Sequence, residues 1–205
     1  MVARLGVLFS GGGRTVENLA QKIVEGSLDA KIALAISSHE GAGGIARAER
    51  FGIPTETLDY RQLQGDLSER ICERLAEAEV DWIVLAGFIR YFRFGDRWRE
   101  RVLNIHPSLL PSFGGKGFYG ERVHRAVIES GAKFSGCTVH LVSDEYDRGP
   151  IVLQRVIPVL DDDTPENLAA RVFAEECIAY PEALRLCLGG RIVVEGSRVR
   201  LNLDR

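Results

Sequence analysis

Asn104 and His106 stand two positions apart at the close of an apolar run, in the octapeptide NIHPSLLP. On an extended chain, residues two apart point to one face, so the amide and the imidazole share a side. Pro107 biases His106 away from the helical region, and Pro111 stiffens the far end of the loop. The pair reads as a satisfied loop network or as a held set of hydrogen-bonding and acid–base groups able to move a proton. Asp144, in LVSDEYDRGP, closes a second strand-like run, and ligands in open α/β sheets gather at the carboxyl ends of strands. If the two strands are neighbours, a carboxylate meets the imidazole, favours its charged form and raises its pKa. Otherwise Asp144, Glu145 and Asp147 make a solvated acidic turn.

Other groups could bind rather than react. In FSGGGRT, Gly11, Gly12 and Gly13 let backbone N–H groups approach a phosphate at a helix N-terminus, where the dipole favours negative charge. Arg14 would add a cation there, and Thr15 a hydroxyl that caps the helix or touches the phosphate; the alternative is a tight turn with no ligand. A dinucleotide site wants an acidic residue at the end of the second strand, where Ser37 and Ser38 stand instead, so a single phosphate fits better. Leu168, Val172, Glu176 and Tyr180 follow at steps of four, placing Glu176 beside an apolar stripe. A carboxylate so placed needs a basic side chain or a ligand ammonium. Of the other histidines, His39 lies in a polar turn and His124 on an amphipathic helix, which reads as solvated or structural. His140 is a strand residue. A metal site of His106, His140 and Asp144 has no compact ligand motif behind it, and no metal is the preferred reading.

The elements that must position these groups alternate. Short β-branched runs over 3–9, 31–38, 53–59, 81–88 and 101–106 are separated by helical patterns over 15–26, 43–52 and 62–79. That is the pattern of a Rossmann-like, doubly wound α/β sheet with helices on both faces. A helix over 120–131 leads to strands over 135–144 and 149–160, whose short connection implies an antiparallel pair and hence a mixed, mostly parallel sheet. A long helix opens with Thr164 as N-cap and Pro165 at its first position; Pro181 should bend it or end its first segment. Two runs, 191–196 and 198–203, make a closing hairpin or tail. Without repeats or linkers, one domain over 1–205 is expected.

The 205 residues, 45% apolar and 27% charged, are those of a globular chain with a real core. Lysine and arginine total 26 against 29 acidic residues, a net charge of −3, which argues against a nucleic-acid partner. The apolar N-terminal stretch breaks into glycines, so neither a signal peptide nor a membrane anchor is read, and the expected location is cytoplasmic. Cys72, Cys137, Cys177 and Cys187 lack paired spacing and read as buried reduced thiols.

Taken together, VLFSGGG, IVLAGFIR, LNIHPSLLP, SGCTVHLVSDEYDRGPIVLQ and EECIAYP resemble, in order and over most of the chain, the phosphoribosylglycinamide formyltransferases. The resemblance implies direct transfer of a formyl group from 10-formyltetrahydrofolate to the amine of glycinamide ribonucleotide, with Asn104, His106 and Asp144 as the catalytic trio. It further implies that Gly11, Gly12, Gly13, Arg14, Thr15 and Glu176 hold the ribonucleotide. Ile89, Arg90, Tyr91, Phe92, Asn104 and His140, Leu141, Val142, Ser143 and Asp144 are implied to line the folate pocket. In that scheme a protonated His106 and the Asn104 N–H stabilise the oxyanion, and no metal is needed. The chain departs from the pattern at Gly13-Arg14-Thr15, and in the longer SFGGKGFYGERVH, whose Lys116 could reach a phosphate. It departs again at Gln64, where an arginine is usual, with Arg61 nearby. The partners implied are small molecules, and the assembly a monomer or homodimer. Related readings are an amino-sugar formyltransferase, a formyltetrahydrofolate hydrolase, the tRNA-formylating enzymes, whose extra domain and basic surface are not apparent here, and a non-catalytic nucleotide-binding module.

Overall fold

The computed structural model describes residues 2–63 and 67–202, and the chain divides into two compact units between Leu103 and Asn104. In the first unit the elements run β1 (Ala3–Phe9), α1 (Arg14–Val24), β2 (Ala30–Ser37), α2 (Gly43–Arg50), β3 (Thr55–Thr57), α3 (Tyr60–Leu63), α4 (Leu67–Glu77) and β4 (Trp82–Leu85). A 3-10 turn at Asp96–Trp98 precedes β5 (Val102–His106), which crosses the division. The second unit adds α5 (Glu121–Glu129), β6 (Phe134–Leu141), β7 (Ile151–Pro158), α6 (Pro165–Leu188), β8 (Ile192–Glu195) and β9 (Arg198–Leu201).

Strands of the first unit lie in the order β3-β2-β1-β4, every pair parallel. Alternation along β1 shows why helices cover both faces. Gly6 meets Leu75 of α4, whereas Phe9, of opposite parity, packs on Gly44 of α2. Leu5, Leu8, Leu75 and Ile83 are fully buried, each contributing about 1.5–3 kcal/mol. Glu17 of α1 pairs with Arg47 and Arg50 of α2, tying the two helices together. The helix expected over 62–79 is in fact α3 and α4; Gln64 lies outside the described residues. The run over 53–59 yields only the three residues of β3, and the strand expected over 81–88 stops at Leu85.

In the second unit the order is β5-β6-β7-β9-β8. The short connection between β6 and β7 makes them antiparallel, with Phe134 opposite Pro158, and β8 with β9 forms the closing hairpin. The result is the mixed, mostly parallel strand set expected. Thr164 caps α6 by accepting from the Asn167 N–H at 3.3 Å, with Pro165 in the first turn. Pro181 does not end α6, which runs on to Leu188. An interior proline costs about 3 kcal/mol, but Ala179, Tyr180, Ala183 and Leu184 are all fully buried around it, and their packing offsets the loss.

Candidate active site

β5 carries Asn104 and His106 on one face, as alternation requires. His106 is buried, 4% exposed, and Asn104 half-buried. The carboxylate that meets them is Asp147, not Asp144: His106 Nδ1 lies 3.5 Å from Asp147 Oδ2, and Asn104 Nδ2 lies 3.4 Å from Asp147 Oδ1. Asp144 is exposed on the turn three residues earlier. The reason is the path of the chain after β6. A Cβ at Gly149 would fall inside the Leu141 carbonyl, so only glycine allows the turn to fold back this tightly. Asp147 itself adopts φ 55°, a left-handed conformation that aspartate tolerates better than most residues, and this swings its side chain inward.

Hydrogen bonding then assigns protons. His106 Nε2 lies 2.8 Å from the Phe113 carbonyl oxygen, and His140 Nδ1 lies 2.9 Å from the Leu141 carbonyl oxygen. A carbonyl can only accept, so both of those nitrogens carry hydrogen. His140 Nε2, when the ring is neutral, accepts from Asn104 Nδ2 at 3.1 Å. Asp147 Oδ2 also accepts the Gly115 N–H at 2.9 Å. Asn104, His106, His140 and Asp147 thus form one buried network.

Its electrostatics correct a second expectation. Burial pushes the pKa of His106 down; Asp147 and the Phe113 carbonyl oppose this, His140 adds to it, and the net position is below the ordinary 6.5. A pairing carboxylate was expected to raise it; removal from water outweighs that pairing. Burial pushes Asp147 up, but hydrogen bonding from His140, the His106 charge and the Gly115 N–H outweigh burial and hold it below 3.8. His124, expected to be solvated or structural, is 4% exposed on α5, and its Nδ1 is buried without a hydrogen-bond partner. Burial, first, and then the neighbouring His106 charge push it down.

Elsewhere in the second unit, Glu176 is half-buried on α6 beside Cys137, whose thiol is pushed up to about 12 by burial and by the Glu176 charge. Cys137 and Cys187 are buried as expected, while Cys72 and Cys177 are only half-buried; none of the four forms a disulfide. Lys116 is exposed. Among the described residues, no histidine, cysteine and carboxylate groups cluster to hold a metal ion, and no helix is long and apolar enough to cross a membrane.

In the first unit, Gly11, Gly12 and Gly13 form the turn from β1 into α1. Gly13 is the N-cap at φ 73° with no side-chain cap, and its Cα side is pressed on Gly44 of α2, so no other residue fits. Arg14 and Thr15 are already helical, and Thr15 does not cap. Around Gly11 and Gly12 there is open space. The Ser10 hydroxyl pairs with Ser38 at 2.7 Å and accepts the Ile89 N–H at 3.1 Å, tying this turn to the segment after β4. In that segment Ile89 and Tyr91 are exposed, whereas Phe92 is 5% exposed against Phe88 and Phe94, a core aromatic. The Arg90 guanidinium stacks on the Tyr60 ring, 3.3 Å from its centre, with Nε buried and unpartnered; Arg61 Nε donates to the Tyr60 hydroxyl.

Reasoning from spacing took the strand-proximal carboxylate and so missed Asp147. The signal that could have found it was Gly149, two residues on, forcing the return. The Phe113 carbonyl and Gly115 N–H are main-chain groups that side-chain patterns do not announce.

The formyl transferase family model matches residues 3–184. A chloroplastic phosphoribosylglycinamide formyltransferase of Vigna unguiculata is 40% identical over 98% of this chain and 66% of its own length. The trifunctional purine biosynthetic protein adenosine-3 of Gallus gallus is 39% identical over 93% of this chain and 19% of its own length. The chain therefore spans about two thirds of the first of these curated relatives and about a fifth of the second. A crystal structure of glycinamide ribonucleotide transformylase 1 from Symbiobacterium toebii superposes with a TM-score of 0.91 at 41% identity, covering 98% of this chain and 94% of that one.

Proposed function

Because the chain belongs to the formyl transferase family, we propose that it moves a formyl group from 10-formyltetrahydrofolate to the amine of glycinamide ribonucleotide, a step of de novo purine synthesis. The observation that carries this reading is the buried network of Asn104, His106, His140 and Asp147, because a binding module has no use for it. Asp147 takes the place first given to Asp144 as the third member of the catalytic trio.

The attacking amine forms the new C–N bond and gives up its proton to His106, whose ring burial holds below its ordinary pKa and so ready to accept one. The carbonyl π pair moves onto oxygen. Asn104 meets that charge by yielding its longer contact to Asp147 and turning the N–H to the oxyanion. Asp147 holds the imidazolium at Nδ1 until His106 returns the proton to the departing folate nitrogen, as the bond from that nitrogen to the formyl carbon breaks and the carbonyl re-forms. Neither a metal nor a covalent enzyme intermediate enters this sequence.

Gly11, Gly12, Gly13, Arg14 and Thr15 would take the ribonucleotide phosphate on the uncapped start of α1, and Glu176 would take its amine side. Ile89, Arg90 and Tyr91, the main chain at Phe92, and His140 to Asp144 would receive folate. The buried, unpartnered Arg90 Nε suits a carboxylate such as that of the folate glutamate. We read the chain as one formyltransferase domain, acting in the cytoplasm, where four cysteines persist without disulfides, as a monomer or homodimer.

The experiment is formyl transfer by the purified protein from 10-formyltetrahydrofolate to glycinamide ribonucleotide, following both products with and without acceptor. Acceptor-dependent formylation supports the proposal. Folate turnover without acceptor would replace it with a hydrolase, and formylation of another amine would reassign the acceptor.

A further inference from the structure

We propose that β8, the last strand in the order of the second unit, is where two copies of this chain pair edge to edge, antiparallel about a two-fold axis at Val193. Exposed edges are commonly blunted by proline or lysine, yet Ile192–Glu195 reads IVVE, with Val193 45% exposed. In an antiparallel hairpin the N–H and C=O of one residue point to the same side, and successive residues to opposite sides. The Arg191 carbonyl accepts the Asn202 N–H at 2.8 Å, so the main-chain groups of Arg191, Val193 and Glu195 face β9. Those of Ile192 and Val194 therefore face outward from the sheet. One symmetric register satisfies them all: Ile192 opposite Val194 of the second copy, and Val194 opposite its Ile192.

The same register sorts the side chains. Arg191, Val193 and Glu195 share the exposed face of the strand. The two-fold axis sets Arg191 of each copy opposite Glu195 of the other, on either side of a Val193–Val193 contact, so the charges are complementary. Among the described residues Arg191 has no ion pair, whereas Glu195 meets Arg200 of its own hairpin at 3.0 Å. On the other face Ile192 lies beside Leu201, 49% exposed, and Val194 beside Val199. Setting Ile192 against Val194 of the second copy joins the two apolar patches into one strip. A slip of one residue turns the outward groups of the two strands away from each other, and a slip of two sets a charge opposite Val193. Main chain, charge and apolar area thus select one pairing. The strand is only four residues long, so the association is reversible.

The test is sedimentation velocity of the purified full chain between roughly 1 and 100 µM, with circular dichroism to establish that each variant is folded. The wild-type protein is expected to shift to a dimer as concentration rises; a chain that stays monomeric throughout overturns the proposal. Arg191→Glu and Glu195→Arg each set like charges opposite one another at both ends of the pairing, and each alone is expected to associate at least about tenfold more weakly. Mixed in equal amounts, the two variants make both pairs complementary again, and the mixture is expected to sediment as a heterodimer. A dimer that both variants retain forms at another surface, and a mixture that stays monomeric rules out this register; either result sinks the idea. Should a charge variant not fold, Val193→Cys decides. Its two copies meet at the axis, where facing Cβ atoms lie about 4.5–5.5 Å apart, and an added oxidant such as diamide is expected to join them in a disulfide that the wild-type protein does not give. No cross-link under those conditions overturns the pairing. None of these residues belongs to the proposed site, so formyl transfer is expected to be unchanged, and a protein that transfers no formyl group leaves the dimer result standing.

Discussion

Asp147 touches the whole proposed catalytic network at once, through His106, Asn104, His140 and the Gly115 N–H. Asp147→Asn keeps the shape but removes the charge that receives the imidazolium. It is expected to lower kcat by about two to three orders of magnitude, the scale of losing one preorganised electrostatic partner. Asp144→Asn, on the exposed side of the same turn, is expected to cost far less, and steady-state formyl transfer separates the two. The pH profile belongs to this scale too. Since burial holds His106 below 6.5, a base mechanism gives activity that rises with pH along an acid limb centred below 6.5. Activity that falls as His106 deprotonates would restore the protonated histidine expected from the sequence.

Among the elements, the return from β6 to β7 sets the site, and Gly149 is its constraint. Gly149→Ala is expected to destabilise the protein and to abolish activity together, because the new methyl group collides with the Leu141 carbonyl and displaces Asp147; thermal denaturation beside the transfer assay reads both effects. Thr164→Ala removes only the side-chain cap of α6 and should cost about 1 kcal/mol with kcat preserved. Much of this was legible. Parallel β1, β2 and β4 came from apolar runs, the antiparallel β6–β7 pair from a short connection, and the start of α6 from Thr164 and Pro165. The passage of α6 through Pro181 was not legible, because local propensity argued for a break and only tertiary burial argued against one. Asn104 and His106 were legible as a pair from alternation. Their carboxylate partner was not, since a turn's direction depends on one close approach that spacing does not encode.

For the molecule as a whole, the depressed titrations of His106 and Asp147 make folding pH-dependent with one sign. The unfolded chain binds a proton at His106 near 6.5, whereas the folded chain resists it, so this contribution is full above 6.5 and is lost as pH falls through the lower folded value. Asp147 adds a second loss, beginning near 3.8 and completed as pH falls through its own lowered value. Denaturant titrations are expected to show stability declining on mild acidification, and His106→Gln to flatten that decline; an unchanged slope in the variant would assign it to other groups. The two buried thiols have a practical consequence. Cys137 and Cys187 are both shielded and held near 12, so they are not thiolates at neutral pH. An alkylating reagent should therefore reach them only when the second unit opens. The rate of their covalent labelling, read by mass spectrometry, becomes a native timer of that opening, with no probe engineered into the chain.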